Sequence, residues 1–190
     1  MKRLFWSLVA LITVMTAAPA TLFAQIALFQ DVTPIAIPAN AMVVEMQKQP
    51  PKDYPHVGHR TPITMEQAVN MWASSHFQMT GAGENTLRVT VREADIVEKL
   101  LPVKKGIAGW FRKDQSAEYV VTLEIVVALV DVNGRQQGSA EAKTMQSTTV
   151  PEGTTEAEKQ ALWTEMMKKA FGNLDRELLP RARQMLAGGG

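Results

Sequence analysis

The chain has three histidines, no cysteine, and nearly equal numbers of acidic and basic side chains to do chemistry with. His56 and His59 bracket Val57-Gly58, with Asp53 just upstream, which are the donor types of a divalent-metal site. Their spacing is not that of a helical H-E-x-x-H motif, no third ligand is evident, and Arg60 adds repulsive charge, so this stretch reads as a metal-free loop. His76 falls on an apolar helical stripe, where a partly buried imidazole with its polar atoms satisfied is expected. Glu93, Asp95 and Glu98 are the residue types of a general acid–base pair, but at a strand end they read as solvated charges. There is no G-x-S-x-G elbow, no Walker A loop and no G-x-G-x-x-G turn. Gly81-Ala82-Gly83 is too short for a phosphate loop and follows a helix rather than preceding one. Without cysteine there is no thiolate nucleophile, disulfide, C-x-x-C zinc site or acylated lipobox. No catalytic residue, metal site or cofactor is assigned.

The connection from Asp95 to Ala117 carries a different chemistry. Lys104, Lys105, Arg112 and Lys113 are interleaved there with Ile107, Trp110 and Phe111. A long connection inside a small domain is commonly functional. Aromatic rings suit a lipid headgroup region and the bases suit anionic lipid. Lys104, Lys105, Ile107, Trp110, Phe111 and Arg112 are therefore the expected contact site for an anionic membrane surface or an envelope protein. The competing expectation is that Trp110 and Phe111 fold back as an apolar plug over the sheet end.

The 190 residues suit one domain with a real core, and 46% apolar against 21% charged residues excludes disorder. Twenty basic and 19 acidic residues exclude a nucleic-acid binder that works by bulk charge. Lys2-Arg3, an uncharged run from Leu4 to Ala18 and the small residues Ala17-Ala18-Pro19-Ala20 have the layout of a secretory signal peptide. Cleavage is expected near Ala20 or Ala24, which places the mature protein in the periplasm; the rival is an uncleaved anchor. Losing Lys2 and Arg3 drops the basic count two below its 20, one short of the 19 acidic groups. Residues 1–24 thus form the leader, 25–62 a Pro-rich segment with one strand, 63–187 an α+β domain and 188–190 a loose tail.

Several elements must position the contact segment. Ala41–Met46, free of Pro and Gly, reads as a first strand. Thr64 and Gln67 form a capping box, and Met65, Ala68, Val69, Trp72, His76 and Met79 recur on one helical face up to Gly81 and Gly83. Leu87, Val89 and Val91 alternate with Arg88, Thr90 and Arg92 as a half-buried strand. Glu118–Val132 is the strongest strand signal, with Leu123, Ile125 and Val127 facing the core. Asn133-Gly134 suggests a two-residue type I′ turn into a return strand over about 135–150. That turn sets a register in which Leu129 faces Gly138, Val127 faces Ala140, Ile125 faces Ala142, and Glu124 pairs with Lys143. Large residues then lie opposite small ones, leaving space for a packed element or an apolar ligand. A final helix is capped by Thr155 and Glu158, and its stripe runs through Leu162, Met166, Ala170, Leu174 and Leu178, widened by Trp163, Met167 and Phe171. It should stop or kink near Leu179 because Pro180 lacks a donor. Trp72 and Trp163 lie on these stripes as core rather than as a ligand cage. The order β-α-β-β-β-α implies an α+β fold, a mostly antiparallel four-stranded sheet with two helices on one face.

Thr64-Met65-Glu66-Gln67-Ala68 leading to Trp72, then Gly106-Ile107-Ala108-Gly109-Trp110-Phe111, Asp114-Gln115, Tyr119 and Val150-Pro151-Glu152-Gly153, resembles a set of uncharacterised exported proteins of Alphaproteobacteria over roughly residues 40–186. More distantly, the element order is similar to the auxiliary lipoproteins of ABC-type lipid and lipopolysaccharide transport, although the acylated cysteine of those proteins is missing here. The resemblance implies no catalytic residues. The reading is a non-enzymatic periplasmic binding or auxiliary domain in envelope maintenance or lipid transport. The alternatives are a periplasmic enzyme with a site assembled from scattered residues, and a soluble carrier of an apolar ligand.

Overall fold

A computed structural model describes residues 28–29, 32–102 and 115–187. The fold is α+β; among the described residues there are two α-helices, a four-stranded sheet and a two-stranded sheet. The elements in chain order are β1 (Ile35–Ile37), β2 (Ala41–Met46), a short 3-10 turn (Gly58–Arg60), α1 (Met65–His76), β3 (Phe77–Met79), β4 (Thr86–Leu100), β5 (Gln115–Val130), β6 (Gln136–Pro151) and α2 (Glu156–Ala187).

The main sheet has the order β2-β4-β5-β6 and is mixed. β4, β5 and β6 form an antiparallel meander, while β2 runs parallel to β4. The sheet is mostly antiparallel, as expected, and the exception is β2: α1 lies in the connection between β2 and β4, and such a crossover returns the chain in the same direction. β1 and β3 make a second small parallel sheet that periodicity did not reveal. β3 also ends α1 early. The helix stops at His76, Phe77 turns extended, and Met79 lies in β3 rather than on the helical face. Pairing with β1 buries Phe77, Ile35 and Ile37, which outweighs another helical turn.

The expected register of the β5–β6 hairpin is observed: Leu129 faces Gly138, Val127 faces Ala140, Ile125 faces Ala142 and Glu124 faces Lys143. The turn is longer than expected. Asp131 and Arg135 close a three-residue loop, Val132-Asn133-Gly134, with Asp131 N bonded to Arg135 O and Gly134 N to Asp131 O. Gly134 takes φ of 78°, which glycine adopts without strain. An irregularity between Leu129 and Val130, where Gln137 is left over, restores the register.

Leu123, Ile125 and Val127 are fully buried, as are Trp72, Trp163 and Leu174 from the helices. Both helices pack on this inner sheet face, and one continuous apolar cluster joins them to it. Both capping boxes form: Gln67 N donates to Thr64 Oγ1, and Glu158 N to Thr155 Oγ1. α2 does not stop near Leu179. It passes through Pro180 to Ala187, because Leu178 and Ala182 bury on either side while Pro180 itself stays exposed. Among the described residues no helix is long and apolar enough to cross a membrane.

Candidate contact site

All six residues expected to make the contact, Lys104, Lys105, Ile107, Trp110, Phe111 and Arg112, lie outside the described residues. The platform that carries them is described. β4 extends to Leu100 and β5 begins at Gln115, so both ends of the expected 95–117 connection are strand. Pairing continues to Leu100 and Ala117, and Leu101 N donates to Ser116 O at 2.9 Å. Leu100 remains 68% exposed at this end.

A β-bulge between Val91 and Glu93 decides what lies beneath the hairpin end. Before it, Leu87, Val89 and Val91 face the core; after it, Ala94 and Ile96 do. The shift turns Glu98 toward the same side, where it accepts a hydrogen bond of 2.5 Å from the Tyr119 hydroxyl. Tyr119 packs edge-on against Trp163, with ring centroids 5.3 Å apart. The Arg60 guanidinium lies 5.4 Å from the Trp163 ring centroid and pairs with Glu156 at 2.7 Å. Burial pushes the Tyr119 phenol well above its ordinary range, and the bond to Glu98 adds to this. The Tyr119 hydroxyl is thus the donor to Glu98. The indole N–H of Trp163 is buried without a hydrogen-bond partner among the described residues.

The bulge also puts Arg92 and Glu93 side by side on the outer face of the sheet. Lys143 Nζ donates to Glu93 at 2.8 Å and to Glu124 at 2.9 Å. Arg92 bonds Glu124 at 3.3 Å and Glu141 at 3.0 Å. These bonds raise the Lys143 ammonium above its usual range. The Lys143 bond, followed by that of Arg92, holds the Glu124 carboxyl below its usual range. A groove of about 540 Å³ adjoins this network, lined in part by Lys48, Pro50, Arg92, Asp95 and Glu124.

Asp95 and Glu98 are not the solvated charges that their position at a strand end suggested. Asp95 accepts from His56 Nδ1 with one carboxylate oxygen and from the Ile96 N–H at 2.7 Å with the other. Only Glu93 of the three keeps the expected surface character. His76 behaves as expected: it is buried, with Nδ1 2.8 Å from the Trp72 carbonyl and Nε2 3.2 Å from Asp175. Among the described residues no group of three or more His, Cys, Asp or Glu side chains could hold a metal ion. The carboxylates of the Arg92 cluster and of Asp95 and Glu98 already have close partners. This geometry supports structural clasps rather than an acid–base pair aimed at a substrate. The roles of Asp95, Glu98 and Arg60 depend on partners 39, 21 and 96 residues away, which periodicity does not detect. The bulge that turns Glu98 inward had one legible signal, Arg92-Glu93 breaking the alternation.

No family model matches the chain, and no curated protein matches it. Among solved structures, the chain is similar to a minor lipoprotein from Acinetobacter baumannii, at 16% identity and a TM-score of 0.41, over 78% of this chain and 92% of that one. It is also similar to the rare lipoprotein B from Shewanella oneidensis, at 12% identity and a TM-score of 0.39, over 80% of this chain and 100% of that one. At these scores the likeness does not establish a role for this chain.

Beside Ala140 and Ala142 the space that the small residues of β6 leave is covered by α2. Thr144 Oγ1 donates to Ala170 O of α2 at 3.2 Å, and Ala140 and Ala142 are buried beside it. At Gly138 a groove of about 350 Å³ remains, lined in part by Leu129, Gly138, Met185 and Leu186.

Proposed function

We propose that the chain is a non-enzymatic, exported envelope domain that contacts an anionic membrane surface through residues 104–112. What supports this reading is that the basic and aromatic segment connects, in sequence, two long strands that stay paired to Leu100 and Ala117. A strand pair embedded in a four-stranded sheet is a stiff support. The two strands therefore pay no ordering cost on binding. Each base near an anionic surface contributes about 1 kcal/mol, and a fully buried Phe side chain about 1.5–3 kcal/mol. The paired-off carboxylates favour binding over catalysis. A role in envelope maintenance or lipid transport fits an exported domain of this kind.

Co-sedimentation of the exported chain with phosphatidylglycerol-containing and purely zwitterionic vesicles tests the proposal. Binding to the anionic vesicles is expected. Replacing Trp110 and Phe111 by Ala weakens it at every ionic strength, whereas replacing Lys104 and Lys105 weakens it mainly at low salt. Two results would overturn the reading. One is no preference for anionic vesicles together with crosslinking of residues 104–112 to an envelope protein. The other is a Trp110-Phe111 variant that keeps binding but loses folding stability, which would make the pair an apolar plug.

A further inference from the structure

The two edges of the main sheet are treated differently. On one side β2 is short, but the chain beyond it continues the cover of β4: Val57 N donates to Ile96 O and Glu98 N to Pro55 O, both at 2.8 Å. On the other side β6 presents a 16-residue edge with no strand beside it among the described residues. Its register irregularities lie only at its two ends, and its proline is its last residue. Natural edges of this length are usually blunted by prolines, bulges or short strands.

The direction of the edge groups is fixed by two side-chain contacts. Arg181 of α2 donates to Glu141 O at 2.6 Å, and Gln146 donates to Ser147 O at 3.3 Å. In an antiparallel strand the N–H and C=O of one residue point the same way, and alternate residues point to opposite sides. The odd-numbered residues from Ser139 to Thr149 therefore direct their backbone groups away from β5.

We infer that β6 pairs antiparallel with β6 of a second copy of this chain, about a two-fold axis at Ala142. The charges select that register. With the axis at Ala142, Glu141 lies opposite Lys143 of the second copy and Lys143 opposite its Glu141, as backbone hydrogen-bonded pairs. The ion network then continues across the junction from Arg92 and Glu141 to Lys143 and Glu124 of the other copy. Ala142 meets itself, and Ala140 meets Thr144, so the inner face carries only small side chains at the axis. An axis at Glu141 or Lys143 would set like charges opposite each other. An axis at Ala140 or Thr144 would leave both charges facing neutral residues. α2 covers the inner face of β6 rather than its backbone edge, and Arg181 gives up one hydrogen bond to the incoming strand. A homodimer of this kind is isologous, so the same patch serves both copies.

Because the chain has no cysteine, Ala142→Cys reports this contact alone. Facing residues of a non-hydrogen-bonded antiparallel pair have Cα atoms about 4.5 Å apart, within disulfide range. The exported Ala142→Cys chain is expected to form a disulfide-linked dimer under mild oxidation. Met145→Cys, whose two copies would lie about 20 Å apart in this register, is expected not to crosslink. Sedimentation equilibrium supplies a second readout on exposed positions. Glu141→Lys is expected to weaken the dimer about tenfold or more, and Glu141→Gln to weaken it less. The inference is overturned if the wild-type chain sediments as a monomer throughout. It also fails if Met145→Cys crosslinks as readily as Ala142→Cys, or if Glu141→Lys leaves the dimer unchanged.

Discussion

Met185 sits directly on Gly138: a Cβ built on that glycine would lie 2.6 Å from Met185 Cγ. The contact lets the last turns of α2, beyond Pro180, settle on β6. Gly138→Val should therefore destabilise the fold by about 1–3 kcal/mol through overpacking. Met185→Ala in the same chain should recover most of that loss, as read from urea unfolding midpoints at constant m-value.

Asp175 joins the two helices. It accepts from the Trp72 indole N–H at 2.7 Å and faces His76 Nε2 at 3.2 Å. Removing it leaves the buried Trp72 indole N–H without its acceptor and His76 Nε2 without its partner. Asp175→Ala should cost about 1–3 kcal/mol in denaturant unfolding, and Asp175→Asn, which keeps an acceptor for Trp72, should cost less.

Tyr119 should make stability fall in alkali. Its folded-state pKa is raised above the ordinary value of 10.0, first by desolvation and then by Glu98. The unfolded chain therefore ionises first, and the stabilisation, complete below pH 10.0, is lost as pH rises further. In a Tyr54→Phe background Tyr119 is the single tyrosine, and its phenolate absorbance should appear only together with loss of the fold. Tyr119→Phe should remove this alkaline slope and cost about 1–2 kcal/mol at neutral pH, since it leaves Glu98 without its donor.

Glu124 should act in acid. Its folded-state pKa is depressed, chiefly by the hydrogen bond from Lys143, below the ordinary 4.5. The stabilisation is present above that value and is lost as pH falls through the lower folded-state pKa. Glu124→Gln should flatten the acid limb of the stability profile. The difference between variant and parent should shrink in high salt, because the network is exposed.

The legible parts of the chain were those governed by neighbours in sequence. The Thr64–Gln67 and Thr155–Glu158 boxes satisfy helix N–H groups three residues away, so local spacing suffices to locate them. The large-against-small match of Ile125 with Ala142 and Leu129 with Gly138 was also legible, because a hairpin has a single register that suits both faces. The match survived a mistaken turn type because Gln137 absorbs the extra loop residue. Long-range partners decided the rest. Pairing with β1 ended α1 at His76, and the crossover through α1 set β2 parallel. The bulge after Val91 reversed the inward phase of β4 and turned Glu98 toward Tyr119. His56 found Asp95 only when Pro55 and Val57 closed over the edge of β4. These contacts join residues far apart in the chain, and their energies appear only after the sheet has assembled. By itself the sequence determined the helix starts, the hairpin register and the leader-like charge pattern. The tertiary structure alone decided strand direction, bulge phase and which carboxylates are held.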